Sequence, residues 1–183
     1  MAGADAGGVW SETTGSGTFT PGTGIFDAAG LAAGDYDFVY DLAAVAPCLN
    51  DASNFTITVE QNLVAGADNA YVSCNNPGST VDLNTLLVGA DAGGVWTSTA
   101  PAGTFAGGIF DMTGVAGGPY NFNYTVSPVA PCVSDVATVT ISVNEMPTMD
   151  PVTDIQVCAD ETLTIVPFTA DVPGTSFDWT NST

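Results

Sequence analysis

The chain has 183 residues, with no lysine, arginine or histidine against 20 acidic side chains, which gives a formal net charge of −20. Without a cationic side chain it lacks the groups that contact phosphates, so we expect no nucleic-acid partner and no attraction to anionic membranes. No apolar run reaches the roughly 18 residues of a membrane-spanning helix, so direct membrane insertion is not expected.

Composition also disfavours catalysis. Histidine and lysine, the usual general bases and amine nucleophiles, are missing. A pair of carboxylates can hydrolyse glycosides, but the glutamates are scattered along the sequence. We therefore predict that the chain is not an enzyme and has no catalytic residue.

The N-terminal part opens on a motif that returns later in the chain. Residues 3–10, GADAGGVW, recur without change at residues 89–96. Residues 45–48, VAPC, likewise return at residues 129–132, an offset of 84 residues. Eight identical residues in a row indicate an internal repeat of supersecondary size.

Three tandem units follow from this repeat. Residues 155–158 fall 84 positions after residues 71–74, and both stretches end in cysteine. The predicted units are the C-terminal part of one repeat at 1–61, a complete repeat at 62–145 and the N-terminal part of another at 146–183.

Aspartates cluster in the first unit and are candidate calcium ligands. Asp35, Asp37 and Asp41 are hard oxygen donors in a chain with uncompensated charge. They alternate with aromatic residues, however, which is typical of the solvated face of a strand. We expect diffuse counterions there and no bound cofactor, with a specific Ca²⁺ site as the alternative.

Short strands fill the complete unit. In chain order we expect them near residues 69–74, 79–87, 94–99, 103–106 and 108–111, followed by a hairpin of two longer strands over 120–126 and 139–143. Seven short strands in about 84 residues predict an all-β fold of tandem immunoglobulin-like β-sandwich repeats.

Two aromatic features recur in the units. The stretches 33–38 and 117–122 place a tyrosine after a glycine turn and are similar to the tyrosine corner of immunoglobulin-like domains, although a generic strand gives the same pattern. Trp10, Trp96 and Trp179 occupy equivalent places, and we expect them in the core of each unit. A sugar-stacking platform is the alternative.

The cysteines are expected to be structural. Cys74 ends the first strand of the complete unit and Cys132 lies in its last loop, so a sandwich could join them in a disulfide, which implies an oxidising compartment. A zinc or redox site is disfavoured because the chain has no CxxC motif and no histidine. Cys48 and Cys158 are then unpaired within the chain and need partners outside it. In another reading, residues 146–183 complete residues 1–61 of a neighbouring subunit and link Cys158 to Cys48.

The repeats resemble those of giant surface adhesins from gliding Bacteroidetes. The residues that carry the resemblance over 1–145 are Cys74, Val81-Asp82-Leu83, Leu86-Leu87, the run 91–96, Gly103-Thr104-Phe105, Tyr120, Cys132 and Ala137-Thr138-Val139-Thr140. Residues 154–181 are similar to the PKD-like repeat found in the same proteins.

This resemblance implies a function outside the cell. It implies export by the type IX secretion route and assembly into cell-surface filaments that serve gliding, attachment or prey capture. The expected role is a stalk that holds a distal adhesive tip away from the cell, with a carbohydrate- or protein-binding module or a self-associating filament subunit as the alternatives. The expected partners are the neighbouring repeats of the same long chain, and other copies in a filament.

Overall fold

The computed structural model describes residues 7–102, 104–164 and 167–180. Over these residues the chain is all-β, which confirms the predicted class. The strands are β1 (Val9–Glu12), β2 (Phe19–Thr20), β3 (Ile25–Phe26), β4 (Gly34–Leu42), β5 (Asp51–Val59), β6 (Asn69–Cys74), β7 (Thr80–Asp82), β8 (Val95–Ser98), β9 (Phe105–Ala106), β10 (Ile109–Asp111), β11 (Gly118–Val126) and β12 (Asp135–Asn144). Among the described residues no helix is long and apolar enough to cross a bilayer.

The chain divides into two compact units. The first contains Met1–Leu63 together with the loop Ser127–Asp135, and the second contains Val64–Val126 and Val136–Thr183. The boundaries of the three sequence repeats remain a prediction.

The second unit contains two sheets around one core. One sheet has the strand order β6-β12-β11-β8 and the other has the order β7-β10-β9. The predicted neighbours β11 and β12 lie side by side, whereas β6 pairs with β12 in parallel, from Asn69 opposite Val139 to Cys74 opposite Asn144. The first and last strands of the complete repeat are therefore adjacent and run in the same direction.

Strand β12 directs every second side chain into the core of this unit. Ala137, Val139 and Ile141 are fully buried, and Val143 is nearly so, while the polar residues between them lie near the surface. Phe122 on β11 and Phe110 on β10 meet above this row with ring centroids 4.9 Å apart. Burying each such side chain contributes about 1.5–3 kcal/mol.

One predicted strand is only partly a strand. The stretch 79–87 was expected to be extended throughout, but it forms β7 and then a 3₁₀ turn, Leu83–Thr85. The Asp82 carboxylate caps this turn by accepting from the Asn84 N–H at 3.0 Å, and the Leu83 N–H donates to the Gly108 carbonyl. The apolar pattern continues through the turn, so periodicity alone could not find it.

The first unit repeats part of this plan. Its sheet has the order β1-β4-β5, with β2 and β3 as a separate ribbon. Trp10 lies opposite Tyr40 on paired strands, and Trp96 lies opposite Tyr124 in the second unit. Phe38 is buried between Phe19 and other aromatic rings.

The tyrosine predicted to form a corner makes the expected bond in both units. The Tyr36 hydroxyl donates to the Ala32 carbonyl at 3.0 Å, and the Tyr120 hydroxyl donates to the Ala116 carbonyl at 2.9 Å. In each unit the bond spans four residues and fixes the turn that leads into the long strand. A bond of this kind occurs in the tyrosine corner of immunoglobulin-like domains.

The C-terminal stretch begins with a short pairing. Met149 forms an isolated antiparallel bridge with Ala170, and the Asp171 carboxylate accepts from the Thr148 N–H at 2.7 Å. No strand lies between residues 151 and 164.

Candidate functional site

A concave surface of the second unit lies beside the repeated motif. It is a groove of about 880 Å³, and its walls include Trp96, Phe105, Asn84 and the backbone of Gly107 and Gly108. Tyr124, which is buried, also lines the groove.

Tyr124 organises the groove through its hydroxyl. The hydroxyl donates to the Asp91 carbonyl at 2.8 Å and accepts from the Gly94 N–H at 2.9 Å. A Cβ on Gly94 would lie 2.4 Å from Cζ of the tyrosine ring, so only glycine fits. Gly93 before it has a φ of +92°, which favours glycine for a second reason. The first unit repeats the bond between Gly8 and Tyr40 at 2.9 Å.

Trp96 is half-buried and is held on two sides. Its ring packs on Tyr124 with the centroids 5.1 Å apart, and its indole N–H donates to the Asn84 side-chain oxygen at 3.1 Å. One part of the ring covers the core, as expected, and another part lines the groove. Trp179 differs, because 68% of it is exposed, contrary to the expected core position.

Asp91 fastens the entry of the second unit. Its carboxylate accepts from the Val64 N–H at 2.8 Å, and its own N–H donates to the Val64 carbonyl at 2.9 Å. Asp171 makes the same exchange with Thr148 in the C-terminal stretch. The bond from Thr148 holds the pKa of the Asp171 carboxyl below its ordinary value. The bonding partner of Asp91 could not be predicted, since a backbone group leaves no sequence signal.

The calcium candidates lie on the exposed face of β4. Asp37 and Asp35 accept hydrogen bonds from the Thr56 and Thr58 hydroxyls across β4 and β5, at 2.6 and 2.7 Å. Asp41 lies opposite Ala52 near the end of the same ladder. In the described part of the chain no three acidic, cysteine or histidine side chains converge as metal ligands.

The predicted disulfide is not present. Cys74 and Cys132 are both free thiols in the structure, as are Cys48 and Cys158. Cys74 lies beside the last residue of β12, whereas Cys132 precedes the first residue of that strand. A strand of this length spans about 30 Å, and a disulfide needs Cα atoms within about 7 Å. The pairing failed because the sequence did not reveal that β6 runs parallel to β12.

Cys132 has a contact of its own within the first unit. Its thiol donates to the Glu60 carbonyl at 3.8 Å, and its side chain is half-buried. Cys48, at the equivalent place in the preceding repeat, is exposed.

Comparison with known proteins returned no match to a family model, to a curated protein or to a solved structure.

Proposed function

We propose that the chain is a section of a structural stalk in an extracellular, cell-surface adhesin. In this proposal it consists of tandem immunoglobulin-like β-sandwich repeats of about 84 residues, exported by the type IX route, in a filament that serves gliding, attachment or prey capture. The tyrosine corners in both units support the immunoglobulin-like assignment.

The parallel pairing of β6 with β12 carries the proposal. The chain enters β6 at Asn69 and leaves β12 at Asn144, and these two residues lie at opposite ends of a six-residue ladder. Tension on the chain therefore pulls the two strands past each other and loads all the ladder bonds together. If the strands were antiparallel, tension would break the bonds one after another. A stalk under tension needs the parallel arrangement.

Both ends of the ladder are braced. At the entry, the Asp91 carboxylate holds the Val64 N–H. At the exit, Asn75 accepts from the Met146 N–H at 2.7 Å, and the Glu145 carboxylate accepts from the Gly117 N–H at 2.8 Å. The chain is thus tied to the body of the unit where force would enter and where it would leave.

The charge is consistent with a spacer. A net charge of −20 without a cation favours solubility and disfavours collapse of neighbouring acidic surfaces onto one another. The chain also has no histidine or lysine, the usual general bases and amine nucleophiles.

Deleting residues 62–145 from the adhesin tests the stalk. We expect filaments that are shorter by one repeat, measured by electron microscopy, and cells that still attach at the normal level. A loss of attachment with an unchanged amount of surface protein would contradict the stalk and favour a binding module.

The groove beside Trp96 favours one alternative function. A half-exposed indole next to an amide side chain and backbone groups suits a neutral saccharide, whose ring faces stack on aromatic side chains. Binding of the isolated chain to a neutral glycan array tests it. The alternative predicts binding that Trp96→Ala abolishes and that Trp179→Ala, a change at an exposed tryptophan outside the groove, leaves intact.

A further inference from the structure

The loop between β11 and β12 carries a cysteine that contacts the first unit. Residues Ser127–Asp135 belong to that compact unit, although they join two strands of the second one. The Cys132 thiol donates to the Glu60 carbonyl at 3.8 Å, and the Cys132 N–H donates back to the Val129 carbonyl at 3.1 Å. The loop cysteine is therefore held beside the residue that follows β5.

The other cysteine of the repeat lies beside the residue that corresponds to Glu60. Asn144 falls 84 positions after Glu60, which is the offset of the repeat. Cys74 lies opposite Asn144 in the parallel ladder, and the Asn75 N–H donates to the Asn144 carbonyl at 3.0 Å. The Cα atom of Cys74 is then no more than about 5.5 Å from that carbonyl oxygen.

The two contacts converge on one carbonyl oxygen where one repeat follows another. The loop cysteine of the later repeat donates to this carbonyl, as Cys132 does at Glu60. The residue after the β6 cysteine of the earlier repeat donates to the same carbonyl, as Asn75 does at Asn144. A carbonyl oxygen has two lone pairs and can accept both bonds. The two cysteines thus meet around one atom, whereas within one repeat they lie a strand length apart.

Both cysteines are held in place and can be reached by a reagent. The Asn75 side chain donates to the Val115 carbonyl at 3.0 Å and accepts from the Met146 N–H at 2.7 Å, so the residue next to Cys74 is fixed. Cys74 is exposed and Cys132 is half-buried. Access of this kind is a condition of thiol–disulfide exchange.

We propose that a disulfide joins consecutive repeats, from the Cys74 position of one repeat to the Cys132 position of the next. Each thiol loses its hydrogen atom as the S–S bond forms. The two electrons and two protons pass to a small disulfide such as oxidised glutathione, which leaves as two thiols. The bond depends on the tandem repeats of the proposed function but not on their role as a stalk, so either can fail alone.

A chain with one repeat duplicated tests the bond. A second copy of residues 62–145 is inserted after Glu145, where the 84-residue offset keeps the frame of the repeat. In the between-repeat variant, the retained cysteines are Cys74 of the first copy and Cys132 of the second copy. In the within-repeat variant, which is the matched control, both retained cysteines lie in the second copy. All other cysteines are replaced with serine.

Equilibration with reduced and oxidised glutathione measures the bond in both variants. Alkylation of the remaining thiols and mass spectrometry then give the effective concentration of each thiol pair. We expect it to be at least about one hundredfold higher in the between-repeat variant, because the fold holds those two thiols side by side. Equal values, or a higher value in the within-repeat variant, would overturn the proposal.

Hydrogen exchange of the reduced chain checks the inserted repeat. The β12 amides of both copies should be protected as they are in the 183-residue chain. Loss of this protection in either copy would contradict the tandem packing and overturn the proposal with it. None of these results bears on attachment, which the deletion of residues 62–145 measures.

Discussion

Replacing Gly94 with alanine tests the packing that the repeated motif imposes. The new Cβ would lie 2.4 Å from Cζ of Tyr124 and 2.7 Å from both neighbouring ring carbons, closer than any real contact. The ring cannot simply move aside, because it is buried, packs against Trp96 and holds Asp91 and Gly94 through its hydroxyl. Overpacking costs about 1–3 kcal/mol and each weakened hydrogen bond about 1 kcal/mol, so we expect a loss of about 3 kcal/mol.

Native-state hydrogen exchange of the β11 amides measures this loss in the second unit alone. A loss of about 3 kcal/mol lowers their protection about one hundredfold. In a Tyr124→Leu background the ring is gone, so Gly94→Ala should cost much less, and the double-mutant cycle isolates the contact. In the first unit, Gly8→Ala should be as damaging, whereas Gly22, which has open space around it, should tolerate alanine. Equal protection in the parent chain and in Gly94→Ala would refute this account of the glycine pair.

Three further perturbations test the packing and the electrostatics. Ile141→Val should cost about 1 kcal/mol because Ile141 is fully buried, and Ile57→Val should cost less because Ile57 is half-buried; urea unfolding compares the two. Trp96→Ala should lower the free energy of unfolding of its unit by about 2 kcal/mol or more. Trp179→Ala, at an exposed site, should change the free energy of unfolding by about 0.5 kcal/mol at most. Equal effects would contradict the packing described for Trp96. A hydrogen bond from the Thr113 N–H lowers the pKa of Asp111 below 3.8, so the stability this carboxylate contributes is present above pH 3.8 and is lost as the pH falls through its lower folded pKa. Acid titration of Asp111→Asn should show a shallower loss of stability in that window, and an unchanged slope would contradict the assignment.

The sequence predicted those features that depend on local patterns. Alternation over residues 139–143 identified a long strand, and the glycine turns before Tyr36 and Tyr120 indicated that each tyrosine bonds back to the turn. The 3₁₀ turn after Asp82 was not predicted, because its apolar residues keep the spacing of a strand.

Features that depend on strand direction and on backbone partners could not be predicted from the sequence. The disulfide between Cys74 and Cys132 was expected because both lie near ends of strands, but which ends adjoin depends on whether β6 is parallel to β12. Likewise, the hydrogen bond at Asp91 joins its carboxylate to the Val64 backbone N–H. Every residue except proline has such an N–H, so the sequence does not indicate which one is the partner. Side-chain patterns specify faces, whereas contacts between backbones need the three-dimensional structure.

Single-molecule stretching of the chain by its two ends tests the stalk most directly. Between Val64 and Glu145 about 80 residues would be released at about 3.5 Å each, so the account predicts one abrupt extension of about 250 Å after the folded length is subtracted. Successive N–H groups of a strand point to opposite sides, so at least one of Tyr71→Pro and Val72→Pro removes a donor of the ladder between β6 and β12 and should lower the force of that event. Gradual extension without an abrupt event, or an event whose force is unchanged in both proline variants, would contradict the account that the parallel strands β6 and β12 bear the tension.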